Sequence, residues 1–454
     1  MWKPRPALPL NDLKETLSLY KQILKPLLTD LEYTQAIRKI NAFENGQGLE
    51  LHKRLLEYKQ DIDTRETAMN KTQHSIGNWL DKNWLDIGYH QWRVSLVVNS
   101  NWWILLKPAS HPRHGPIGRA SLFTCAILHY KVQVDQEQIP QEKDLCMEQY
   151  KRLFAHRFPN FNQDSIKLMT SDYIIVMIHN QCFKVTVMNN NEIISPSQLY
   201  MLFTKCYAIM SSIQCSPAIP LLTTLNRDQW ATCYQHLQAI HPDNKSSLSI
   251  IENALFCVCF DDLMCDGFDQ QLNVIAHGLD GHNRWFDKSF NVIVMKDGQI
   301  GINGEHSPLD ALIPSYMFHA CYLKESQLEW EQGCSTSDPV HLPFVIDQTI
   351  SSYIQLAQKE TTLLINSSDC GVAHFKAYGK SFMKKANMSP DTFIQLSFQW
   401  TWYRLHQSIT STYETASTRS FYKGRTETCR TTSQESVQWV KYMQQSHVIQ
   451  NNLD

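Results

Sequence analysis

Long apolar runs are missing from this chain. Nowhere in its 454 residues does an uninterrupted apolar stretch reach the roughly 18–20 side chains that a bilayer-spanning helix needs. The most apolar segments, LFCVCF and VSLVVNSNWWILL, read as core strands or helices, and no transmembrane segment is expected. An excess of charge is missing too. Lys and Arg number 42 against 44 Asp and Glu, a formal net charge of −2, so no nucleic-acid partner is expected. The 13 cysteines form no framework: their number is odd and no CxxC pair occurs, so reduced thiols in an intracellular compartment are expected. Cys257, Cys259, Cys265, His277 and His282 crowd into one short region. With no CxxC pair there, and with residues 256–260 reading as an apolar core run, no metal is expected. The start, MWKPRPALPLNDLKETL, lacks the apolar core of a secretory signal, and the end, NNLD, is not a peroxisomal tripeptide. Cytoplasmic, mitochondrial and peroxisomal placement all stay open.

What is present is globular: 43% apolar and 19% charged residues, over a length sufficient for two domains with cores of their own. Residues 11–75 carry a helical stripe in Leu13, Leu17, Tyr20, Ile23 and Leu27. Residues 76–180 mix helices with strand-like runs at Ser95 to Val98 and Tyr173 to Ile178. The pattern is helical again from Asn226 toward Phe260. After Pro343 to Thr349 a helix, SSYIQLAQKE, and a strand around Val372 to Lys376 are expected, with a domain boundary between residues 348 and 349.

One stretch stands apart, NRWFDKSFNVIVMKDGQIGINGEHSPLDA at 283–311. Phe290 to Met295 is apolar and β-branched, Lys296-Asp297-Gly298 signals a turn, and Gln299 to Gly304 can pair back as a hairpin. Ser307 suits an N-cap and Pro308 the first position of a following helix. That places His306 between strand and helix and Asp310 in the helix's first turn, close enough to orient an imidazole. Such a pair fits a general base and its carboxylate, and it equally fits a cap or a structural hydrogen bond.

The motif NRWFDKSF, a DG hairpin and GEHSPLDA together resemble the active-site signature of the carnitine/choline acyltransferases. Two further blocks fit the same family in the same order, FKAYGKSFMKKANMSPDTFIQL at 375–396 and TYETASTRSFYKGRTETCR at 412–430. Weaker echoes cover most of the rest: LPLNDLKETLSLYKQILKPLL, DLCMEQYKRLF, YIIVMIHNQCFKV and PLLTTLNRDQWA. The resemblance, most like a carnitine O-acetyltransferase, implies an α/β fold. It would hold two chloramphenicol-acetyltransferase-like domains of mixed sheet with flanking helices, residues 1–348 and 349–454, the second incomplete, with catalysis in a tunnel between them. It also implies a monomer when complete.

By this resemblance His306 is the catalytic base that deprotonates the carnitine hydroxyl, or the coenzyme A thiol in reverse. Attack on the acyl carbonyl is then direct, without an acyl-enzyme. Asp310 is its orienting carboxylate, and Glu305 reads as a structural anchor of the loop. Coenzyme A or acyl-CoA enters as a co-substrate, with no permanently bound cofactor. Lys380, Lys384, Ser389, Asp391 and Ser417 match its contacts. Read locally, Ser389 caps and Pro390 opens a helix with Asp391 in its first turn, and the two lysines supply point charges suited to phosphate or a merely solvated basic loop. Tyr413, Thr415 and Ser417 alternate, so in a strand they share one face and form a row of hydroxyls. The resemblance assigns Tyr413, Thr415 and Thr426 to carnitine.

Thr426 separates carnitine from choline. Choline enzymes tend to have valine there, and a buried valine would leave carboxylate oxygens unpaired at a cost of roughly 1–3 kcal/mol each. A carnitine O-acyltransferase acting on short acyl groups is therefore the expectation. The alternatives are a choline O-acetyltransferase and a truncated, non-catalytic coenzyme A-binding remnant. The last arises because the chain stops at Asp454, where the family continues into its oxyanion loop and carboxylate-binding arginine; low activity of the chain as written is expected.

Overall fold

A computed structural model describes residues 2–70, 76–109, 115–189, 192–213, 217–330 and 337–451, with the backbone alone for 446–451. The packing divides the chain into two compact units. One comprises Met1–Trp2, Lys82–Gln141 and Met147–Val372, and the other Lys3–Asp81, Glu142–Cys146 and Ala373–Asp454.

The first unit is built on a seven-stranded mixed sheet. Its order is Trp102–Leu105, Ile300–Gly304, Phe290–Val294, Cys257–Phe260, Tyr173–Ile178, Gln181–Thr186, Val340–Leu342. The central strand Cys257–Phe260 runs parallel to both its neighbours and the outer pairs are antiparallel. Helices cover both faces, so the inner strands read as continuous apolar runs rather than alternating ones. Val258 and Phe260 face a core with Phe123, Phe256, Phe290 and Phe318, while Cys257 and Cys259 face a second core with Trp230 and Trp285. That burial pushes both thiols far up from their ordinary range, which suits packing and not reactivity. Among the described residues, no three His, Cys, Asp or Glu side chains gather as a metal site, and no helix is long and apolar enough to cross a membrane.

The hairpin forms as the sequence predicts: Val294 pairs with Ile300 and Phe290 with Gly304, and Gly298 sits in the turn at φ 83°. Tyr173–Ile178 is a strand as well. Two other strand expectations fail. Residues 95–98 are a turn, in which Leu96 and Val97 are buried and the Leu96 carbonyl accepts from Ser100 and Asn101. Burial without a neighbouring strand produced the same apolar run. Residues 372–376 are irregular and exposed, with the Val372 amide donating to the Asp269 carboxylate.

The boundary expected at residue 348 falls inside the first unit. Helix Gln348–Asn366, capped by Asp347, buries Ile350 and Ala357 in the Trp230 core, and the Thr361 hydroxyl bonds Thr224. The second unit joins the two ends of the chain instead. Its amino-terminal part is three helices, Leu13–Leu24, Asp30–Glu44 and Gln47–Met69, the first capped by Asp12 and the second by a Thr29–Glu32 capping box. The expected stripe runs on to Leu27, but the first helix has already ended before Pro26. Of the expected helical stretch 11–75, residues 71–75 lie outside the described residues. The remainder of the unit is helices Lys380–Lys385, Pro390–His406 and Gln434–Asn451 around a two-stranded ribbon, Tyr413–Ser417 with Thr426–Arg430. Lys423 reaches Glu66 at 2.6 Å, and the Asn78 amide donates to the carbonyls of Tyr422 and Lys423.

Candidate functional site

His306 is the second residue after the strand Ile300–Gly304, with Glu305 between them. Gly304 leaves room for the neighbouring strand's indole, since a Cβ at that position would meet the Trp102 ring at 2.1 Å. Trp102 lies against the glycine instead, and its indole N–H donates to the Glu305 carbonyl at 3.2 Å. The Glu305 amide donates to the Ser289 carbonyl. Its side chain is 1% exposed and fully engaged, accepting from Arg157 Nη1 at 3.0 Å, from the Ser307 amide at 3.1 Å and from the Ser307 hydroxyl at 2.6 Å. Burial alone would raise the Glu305 pKa, but the Arg157 guanidinium and the Ser307 bonds outweigh it and hold the carboxyl below its ordinary value. Glu305 thus anchors the loop.

These bonds overturn the expected helix start. Ser307 gives both its amide and its hydroxyl to Glu305 and is not an N-cap. The helix begins at Leu312, so Asp310 precedes the first turn, where its carbonyl accepts from the Ile313 amide. Gln149, in a tight turn at Glu148–Arg152, meets Asp310 twice. Its Oε1 accepts from the Asp310 amide at 2.9 Å and its Nε2 donates to Oδ2 at 3.2 Å. His306 is half-buried, with the Tyr89 hydroxyl 3.3 Å from Nδ1 and the two rings 5.3 Å apart. Tyr89 stands on a wide helical turn, Asp86–His90, closed by the Gln91 amide on the Asp86 carbonyl at 2.8 Å. Such turns recur at functional sites.

Behind the loop runs a buried ladder of charges. Arg157 Nε and Arg227 Nε each donate to Asp164 Oδ2 at 2.7 Å. Arg227 Nη1 donates to Asp287 at 2.6 Å, and Trp230 Nε1 donates to the other Asp287 oxygen at 2.7 Å. Burial would raise the Asp164 pKa, yet its two guanidinium partners draw it below the ordinary value. In Asp287 burial prevails and the pKa rises. Lys288 next to it is wholly buried, with Nζ donating to the carbonyls of Glu252 and Ala254. Burial pulls its pKa down to about 7.

The other sequence-predicted residues lie in the second unit. Lys380 and Lys384 stand one turn apart on their short helix, both exposed. Ser389 caps the next helix, accepting from the Thr392 amide at 3.4 Å, with Pro390 at its first position and Asp391 in its first turn, as predicted. In the ribbon, Tyr413 pairs with Arg430, Thr415 with Thr428 and Ser417 with Thr426. Directly opposed residues share a face, so Tyr413, Thr415, Ser417 and Thr426 lie together. Thr428 and Arg430 join them and were missed. The signal for both was available, since alternation applied to the second strand gives 426, 428 and 430. The result is a surface of hydroxyls with one guanidinium beside Tyr413. The opposite face, with Glu414 and Cys429, borders a cleft of about 460 Å³ that includes Gln395, Gln399, Thr431 and Trp439. None of the sequence-predicted residues lines it.

Residues 8–453 match the family description Choline/Carnitine o-acyltransferase. A peroxisomal carnitine O-octanoyltransferase of Rattus norvegicus is 30% identical, across 97% of this chain and 74% of its own length. A carnitine O-acetyltransferase of Homo sapiens is 30% identical, across 98% and 73%, and a choline O-acetyltransferase of Danio rerio 28% identical, across 96% and 71%. Among solved structures, a chloramphenicol acetyltransferase chain matches at a TM-score of 0.26 and 10% identity. It covers 54% of this chain and 94% of its own, too distant to bear on the site.

Proposed function

The chain belongs to the choline/carnitine O-acyltransferase family, a family of enzymes, and on that premise we propose that it transfers a short acyl group between coenzyme A and carnitine with His306 as general base. The imidazole takes the proton of the carnitine hydroxyl, and the freed oxygen attacks the thioester carbonyl. The tetrahedral adduct collapses, breaking the carbon–sulfur bond, and the departing thiolate recovers the proton from the imidazolium. The observation that carries this reading is the fixed position of His306. It ends a hairpin, its Nδ1 lies 3.3 Å from the Tyr89 hydroxyl, and the residue before it is locked by Arg157. Asp310, held by Gln149, is the orienting carboxylate of this proposal.

In this reading Lys380, Lys384, Ser389, Asp391 and Ser417 contact coenzyme A, and Tyr413, Thr415 and Thr426 contact carnitine. The hydroxyl row with Arg430 beside it favours a substrate bearing a carboxylate, hence carnitine over choline. Relatives named for octanoyl and for acetyl transfer make these two acyl groups the ones to compare. The test is carnitine-dependent thiol release from acetyl-CoA and octanoyl-CoA, by wild type and His306→Ala. Turnover in the variant should fall about 10²–10⁴-fold. Wild-type turnover in the variant, or a higher rate with choline than with carnitine, would overturn the proposal.

A further inference from the structure

Arg157 sits in the strand Ala155–Phe158, a structural rung paired with Ile166, and is 1% exposed. Its guanidinium donates in three directions: Nε to Asp164 Oδ2 at 2.7 Å, Nη1 to Glu305 Oε1 at 3.0 Å and Nη2 to the Tyr89 carbonyl at 2.9 Å. Two of these acceptors flank the imidazole. Glu305 is the chain neighbour of His306, and Tyr89 is the residue whose hydroxyl meets Nδ1. They come from segments far apart in sequence, so no local backbone geometry sets their spacing. The planar fork does, because its donors stand at fixed distances and angles.

We propose that Arg157 is a positioning residue for His306: one guanidinium that holds, at once, the loop before the imidazole and the turn whose tyrosine meets it. The proposal rests on the reading of His306 as general base. The third arm explains why the fork does not swivel. Asp164 also accepts from Arg227 Nε at 2.7 Å and from Arg93 Nη1 at 3.2 Å, and Arg227 is tied in turn to Asp287. Buried ion pairs of this kind add little stability over apolar packing of the same volume. What they supply is a fixed geometry, and a displacement of about 1 Å at a reacting group is enough to cost about 10²-fold in rate.

Lysine at 157 keeps the charge and removes the fork. Arg119 offers a matched control in the same unit. It is 4% exposed and donates to the carbonyls of Gly298 and Lys107 and to Glu325. Arg157→Lys and Arg119→Lys should both lower the melting temperature. Only Arg157→Lys should lower kcat, by about 10–100-fold, with the Michaelis constants for carnitine and acetyl-CoA within about threefold of wild type. The second readout is NMR of protein with isotope-labelled histidine, the His306 signals being assigned by their loss in His306→Ala. Wild type and Arg119→Lys should show the same His306 ring-nitrogen shifts, and Arg157→Lys should move them or broaden them. If Arg157→Lys does not fold, Asp164→Asn, which keeps the shape of the third arm and removes its charge, takes the same measurements. Wild-type kcat in the folded variant, an equal loss of kcat in Arg119→Lys, or unmoved His306 signals would overturn the proposal. The NMR readout needs no turnover. A wild-type protein that transfers no acyl group would overturn the functional reading, while the imidazole signals alone would still decide the role of Arg157.

Discussion

The Ser307 hydroxyl donates to Glu305 Oε2 at 2.6 Å, two residues back along the chain and across the histidine between them. The bond makes a tight clasp around His306, and Arg157 closes it from behind. Removing the Glu305 charge should therefore be felt well beyond the loop. Glu305→Gln leaves Arg157 buried with less compensation, and breaking a buried pair from one side costs about 3–5 kcal/mol. Urea unfolding of the two proteins measures this. A loss below about 1 kcal/mol, the range of exposed pairs, would mean that the carboxylate is not the anchor described.

Asp310→Asn should lower turnover less than His306→Ala does. The change keeps an acceptor for Gln149 Nε2 and leaves the bond from the Asp310 amide to Gln149 in place. It removes charge, not the base. Steady-state kinetics of both variants under one set of conditions checks the order, and an Asp310→Asn defect equal to that of His306→Ala would refute the orienting role.

On the ribbon, Thr426→Val should raise the Michaelis constant for carnitine about tenfold, the scale of one lost bond to a carboxylate, with a smaller effect on coenzyme A. Arg430→Gln should act in the same direction, since Arg430 shares the face of Tyr413 and Thr426. If neither variant alters the carnitine constant, this face is not where the carboxylate binds.

The buried charges give stability a defined pH dependence. Glu305 and Asp164 have folded pKa values below the ordinary 4.5 and 3.8. Their contribution is complete above those values and is lost as pH falls through the lower folded ones. Lys288 works at the alkaline end. Its pKa is about 7 in the fold against 10.5 in the open chain, so between these the unfolded state binds more protons and stability rises with pH. The buried thiols act in the opposite sense above pH 9, so the measure is the difference between two proteins: the unfolding free energy of wild type relative to Lys288→Met should climb from pH 7 to 10. A difference that stays flat would show that Lys288 is not the group responsible.

Much of this was legible in the chain because it is local. The 290–304 hairpin follows from two β-branched runs around Asp297-Gly298, and the helix after Ser389 from a cap, a proline and an acid in order. The hydroxyl face of the ribbon follows from simple alternation. What local pattern could not supply was competition and distance. Ser307-Pro308 has the composition of a helix start, but a glutamate two positions earlier takes the serine first. Leu96 and Val97 are as apolar as a strand and are buried as a turn. Tyr89 lies 217 residues from His306, and Arg157 lies 148 from Glu305. Nothing in the spacing of either pair announces the contact. The division into units was hidden for the same reason, since residues near 66 and 78 pack with residues near 423.

Gly304 and Trp102 are opposed in neighbouring strands, and the indole fills the space a side chain at 304 would need. The two positions are therefore sterically coupled. Even a methyl group at 304 displaces the indole or calls for a smaller residue at 102, and either way the bond to the Glu305 carbonyl is lost. Any route between two working sequences that enlarges residue 304 alone passes through a protein whose indole has been pushed off the Glu305 carbonyl. Gly304, one of two glycines in its strand, is therefore among the hardest residues to replace, and a library randomised at 102 and 304 should return them only as matched pairs.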